Sequence, residues 1–127
     1  MITSRRDYLL RIIDEVGRLL ARVVFKQRNG HQQEALQLVV EGCERLFNLE
    51  ASQLFQFTPA QHFLMLTRGE SPEDARDKVL LYAALNAEAG RTYLALNNAS
   101  MARSSFLNSL RFALHAQQEF PPENLPE

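Results

Sequence analysis

The chain has 127 residues, room for one domain with a packed core, and 46% of them are apolar against 23% charged. Those are the proportions of a globular protein, not of a disordered one. Fourteen Lys and Arg balance fifteen Asp and Glu, which leaves no whole-molecule field to gather nucleic acid.

Cys43 is the only cysteine, which excludes an internal disulfide and a multi-cysteine zinc site and points to a reducing cytoplasm. Residues Met1 to Arg6 lack the apolar stretch of a signal peptide, and Arg, Asp or Glu interrupts every long apolar window. Neither secretion nor a membrane span is therefore expected.

Ser4 with Asp7 three residues on has the form of a capping box, and Leu9, Ile12, Ile13, Val16, Leu19, Leu20, Val23 and Val24 then recur at helical spacing. A first helix is predicted from about Arg5 to Arg28, with Asn29-Gly30 as its stop. A second follows, with Ala35, Leu38, Val39, Gly42, Cys43 and Leu46 on one face, ending near Phe47. Thr58-Pro59-Ala60-Gln61 places a capping hydroxyl before a first-turn proline, and opens a short third helix over Phe63 to Leu66.

Arg68-Gly69 closes that helix, and Ser71-Pro72-Glu73-Asp74 starts a long fourth one reaching about Leu96. After Asn97-Asn98, a fifth helix turns Ala102, Phe106, Leu110 and Ala113 inward and ends near Gln118. The helical domain thus covers residues 1–120, and the Pro-rich tail of 121–127 cannot continue it. Acid-to-base pairs at i,i+4 (Asp7/Arg11, Asp14/Arg18, Glu41/Arg45 and Asp74/Lys78) fall opposite the apolar stripes. No stretch alternates with a period of two, so no strand is assigned.

The last two helices carry Gly90-x-x-Tyr93 and then Ala102-x-x-x-Phe106. Small residues at Gly90 and Ala102 let two helix axes approach, while Tyr93 and Phe106 fill the groove beside them. This pair resembles the tetratricopeptide repeat in residue type and spacing over about one repeat. It departs from the pattern at Asn86, Ala89, Ser109 and Leu114. Ala35-x-x-x-Val39-x-x-Gly42 is a weaker echo, and the opening Asp7-Tyr8-Leu9-Leu10-Arg11-Ile12-Ile13-Asp14 is similar to the start of small bacterial tetratricopeptide-like proteins of no known activity. The resemblance implies an all-α array of antiparallel hairpins, about five helices in all. It also implies a partner groove lined by Ala84, Ala87, Arg91 and Leu94, in which Arg91 holds a peptide carboxylate; a plain Glu88/Arg91 surface pair is the alternative.

No catalytic motif is present. His31, His62 and His115 form no His-x-x-x-His pair, and His31-x-x-Glu34 and Glu41-x-x-Glu44 are the only metal-like spacings. His31 reads as a residue that terminates or caps a helix, and Cys43, beside Val39, Gly42 and Leu46, as a small core residue. Arg11, Arg18 and Arg22 share one face of the first helix, with Asp14 and Glu15 in the same ridge to neutralise them. The expectation is a cofactor-free, non-catalytic interaction or scaffold module that binds a protein or peptide; a small-ligand or anion-binding regulatory domain is the alternative. Leu10, Ile13, Leu20, Val24 and Phe25, with Leu107 and Leu114, widen the apolar stripes of the first and last helices. That excess predicts a homodimer through one of them, with the tail after Phe120 folding back over the last helix as the alternative.

Overall fold

In the computed structural model, which describes residues 5–122, six helices follow one another: α1 (Arg5–Arg28), α2 (Gln32–Phe47), α3 (Ala51–Leu54), α4 (Pro59–Thr67), α5 (Pro72–Ala95) and α6 (Ala99–Glu119). The described residues are all-α, with no strand, as expected, but with one helix more. Ser4 and residues 123–127 of the tail lie outside the described residues.

The local signals explain most helix ends. Gly30 takes φ 77° after α1, and Asn48, at φ 56°, ends α2 in the left-handed region. Thr58 and Gln61 close a full capping box on α4, so that helix starts at Pro59, earlier than its apolar residues suggested. Ser71 caps α5 by accepting from the Asp74 amide, and Asn98 caps α6 by accepting from the Met101 amide. His31 stands at the N-cap of α2 without a side-chain cap, its Nδ1 3.3 Å from the Glu34 carboxylate. The unforeseen α3 starts where the Glu44 carboxylate accepts from the Ala51 amide at 2.8 Å, and it buries Leu54 completely.

Two antiparallel hairpins, α1–α2 and α5–α6, form the frame, and α5 touches every helix except α3 to a substantial extent. On α2 the buried face is Ala35, Leu38, Val39, Gly42, Cys43 and Leu46, as its spacing predicted. On α6 the face differs: Ala102, Ser105, Phe112 and Ala116 are buried, Phe106 and Ala113 are half-buried, and Leu110 is 57% exposed. The helix is rotated because Phe112 inserts against Tyr82, ring centroids 4.8 Å apart, and because Ser109 Oγ donates to the Ala83 carbonyl at 2.7 Å.

Of the four intrahelical ion pairs, Asp14–Arg18 forms at 3.0 Å. Glu41/Arg45 and Asp74/Lys78 give way to contacts between helices. Arg45 reaches Glu15 on α1, whose carboxyl is held below its ordinary range by hydrogen bonding to that guanidinium. Arg6 reaches Asp74 at 2.5 Å and Asp77 at 3.1 Å, and Arg5 reaches Glu70 at 2.5 Å. The Arg5 and Arg6 bridges fasten the first turn of α1 to the start of α5 and to Glu70 just before it. Gln27 fixes the far end of α1, donating to Thr92 Oγ1 at 3.0 Å.

Candidate functional site

The α5–α6 pair has two sides. The register is set by Gly90, where an added Cβ would stand 2.7 Å from the Phe106 ring, and by the Ser109–Ala83 hydrogen bond. Ala102 is buried in the same contact region, and Tyr93 is half-buried. The repeat-like residues Gly90, Tyr93, Ala102 and Phe106 are thus brought together at one helix pair.

One side of this pair faces α2 and the α3–α4 segment across a groove of about 340 Å³. Leu36, Val39, Val40 and Cys43 come from α2; Phe55, Phe57, Pro59 and His62 come from the segment after it. The α5 wall presents Tyr82, Leu85, Asn86, Ala89 and Tyr93, and the α6 wall Met101, Ser104, Ser105 and Asn108. Among the described residues no Asp, Glu, Lys or Arg lines the groove, in a chain that carries fourteen basic and fifteen acidic residues.

The floor is held by a buried polar chain. His62, 4% exposed, has Nε2 2.8 Å from the Leu54 carbonyl and Nδ1 3.2 Å from the Tyr82 hydroxyl. The carbonyl can only accept, so Nε2–H donates to it and the Tyr82 hydroxyl donates to Nδ1. Phe47 packs edge-on against Tyr82 with centroids 4.9 Å apart, and tilted on His62 at 5.3 Å. Burial holds the Tyr82 hydroxyl well above its ordinary range. His62 therefore joins α3 and α4 to α5, and both its nitrogens are spent on doing so.

Cys43 lies on the same floor as a core residue, 4% exposed, and burial pushes its thiol up to about 12. Iodoacetamide at about pH 8 is expected to label the native chain more than a hundredfold more slowly than the denatured one, since the thiolate is the nucleophile. Mass spectrometry over time measures both rates. Native labelling within about tenfold of the denatured rate would show that the site opens freely.

Ala84, Ala87, Arg91 and Leu94 lie on the other side. Ala84, Ala87 and Arg91 fall roughly 140–200° around α5 from Tyr82, so they face away from the groove. Ala84 and Ala87 are half-buried, while Arg91 and Leu94 are exposed. Arg91 pairs with Glu88 of its own helix at 2.7 Å. Leu80 on α5 and Leu107, Leu110 and Leu114 on α6 are exposed as well. On α1, Leu19 and Leu20 pack on the core, while Leu10 and Phe25 remain exposed. Among the described residues no group of three His, Cys, Asp or Glu side chains is placed to hold a metal ion, and no helix is long and apolar enough to cross a membrane.

Sequence reasoning did not find the groove. Its walls come from four separate stretches of chain, and Phe55-Gln56-Phe57, two aromatics in a span with no helical pattern, was the one local sign of it. Compared with known proteins, the chain matches no family model, no curated protein and no solved structure.

Proposed function

We propose that this chain is a non-catalytic protein–protein interaction module of tetratricopeptide type that docks through the outer side of α5–α6, and that one occupant of that side is a second copy. The carrying observation is the leucine surface. Leu80, Leu94, Leu107, Leu110 and Leu114 are each between 43% and 57% exposed and share one side of one helical hairpin. Monomers seldom leave such surface open, and a two-fold dimer is the commonest way to cover it. Two antiparallel hairpins and the tight Gly90–Phe106 crossing support the repeat-type reading; α3 and α4 are additions to that plan. The α1 stripe is mostly consumed within the chain, which favours α6 as the dimer helix. The reduced, buried Cys43 suits a cytoplasmic setting.

Light scattering at micromolar concentration tests the reading. The parent is expected at about twice its 14.5 kDa chain mass, and Leu107→Glu with Leu110→Glu is expected to return it to one chain with helicity unchanged. A parent mass near 14.5 kDa removes the second copy as occupant.

A further inference from the structure

The groove on the inner side of α5–α6 holds a feature that the docking side does not explain. Ser105 is 8% exposed and lines the groove, and its hydroxyl has no hydrogen-bond partner among the described residues. A serine inside a helix can turn its hydroxyl onto the carbonyl one turn back, and this one makes no such bond. Beside it, the Asn86 amide nitrogen is spent on the Tyr82 carbonyl at 2.9 Å, leaving its side-chain oxygen without a partner among the described residues. The Asn108 oxygen accepts from Arg111 at 3.3 Å, which leaves its amide nitrogen likewise. One donor, one acceptor and one hydroxyl that can be either thus stand on the adjoining α5 and α6 walls.

The rest of the groove is apolar. Val39 and Leu85 are buried in it, and Phe55, Phe57 and Met101 stand 53%, 40% and 42% exposed around its mouth. With no charged side chain in the lining among the described residues, a charged ligand would surrender its hydration without a countercharge. A volume of about 340 Å³ is at the lower end of ligand pockets.

We infer that this groove binds an uncharged amphiphilic small molecule, its apolar body lying between Val39, Leu85 and Phe57 and its neutral amide or hydroxyl head meeting Ser105, Asn86 and Asn108. The inference does not depend on the outer docking side. It narrows a small-ligand role to neutral ligands and leaves anions out.

The test uses the full chain and N-phenyl-1-naphthylamine, an uncharged dye that fluoresces in apolar sites. Saturable enhancement with one dye per chain is expected. Octanamide should displace the dye at a concentration about tenfold or more below that needed for octanoate or octylammonium, because only the neutral head escapes an unpaired burial. Ser104→Trp, at an exposed position on the groove mouth, should abolish dye binding with helicity unchanged. Ser105→Ala should weaken octanamide several-fold and leave the dye nearly unaffected, whereas Leu110→Glu, on the outer side, should change neither.

No enhancement, equal displacement by the three heads, or dye binding that survives Ser104→Trp would each overturn the proposal. So would dye binding that is lost in Leu110→Glu, which places the dye on the outer leucines. Binding that falls as protein concentration rises would assign the groove to a second copy and overturn it also.

Discussion

Phe112→Ala is expected to cost about 3–5 kcal/mol of folding stability, the range for removing a buried aromatic ring. Phe112 is 1% exposed and is the largest fully buried side chain among the described residues. Its ring meets Tyr82 nearly at right angles and lies tilted 6.4 Å from Phe63, so it sits where α4, α5 and α6 converge. Through Tyr82 it touches the buried chain that ends on His62 and Leu54. A void there removes contacts from three helices at once. Against a total stability of about 5–15 kcal/mol, the variant should unfold at much lower urea with a similar m-value, while Phe112→Leu should recover most of the loss. A penalty below about 1 kcal/mol would mean that the site collapses around the missing ring and that the α4–α6 contact is not specific.

Gly90→Leu is expected to destabilise by about 1–3 kcal/mol or more through overpacking. The first side-chain carbon alone would stand 2.7–2.8 Å from three atoms of the Phe106 ring. That ring is half-buried and can rotate aside for one methyl group. Gly90→Ala should therefore be nearly neutral, since a gain of about 1 kcal/mol in helix propensity opposes the displacement. A leucine needs the whole space of the ring, and the α5–α6 axes must part. Phe106→Ala combined with Gly90→Leu should cost less than the two changes summed, because the vacated ring volume receives the leucine. Thermal melts of the four proteins measure this. If Gly90→Leu melted with the parent, the close crossing of α5 and α6 at this point would be wrong, and with it the separation of groove from outer side.

Helix ends were readable because capping is local. Thr58 with Gln61, Ser71 before Pro72, and Gly30 act on amides and carbonyls within one turn of themselves, so no knowledge of the rest of the chain was needed. The buried face of α2 was equally legible, since every apolar position on it points at a neighbour. On α6 the same reasoning failed at Leu110. Apolar spacing ranks positions by hydrophobicity, whereas the rotation of this helix was decided by what α5 admits: a small Ser105, the Ser109 hydroxyl on the Ala83 carbonyl, and the Phe112 ring over Tyr82. Ion pairs divided in the same way, for Asp14–Arg18 lies within one helix while Arg6 and Arg45 found partners that the sequence places 68 and 30 residues away. Arg91 was visible as a residue and its pairing with Glu88 as an alternative, but which way it faces depends on where α1 and α6 lie around α5. The groove was least legible of all. It is space enclosed by four stretches of chain, and an enclosed space has no periodicity in any one of them. Local hydrogen bonding and spacing thus settled the helices and most of their ends; long-range packing decided which leucines stay outside and where a neutral cavity remains.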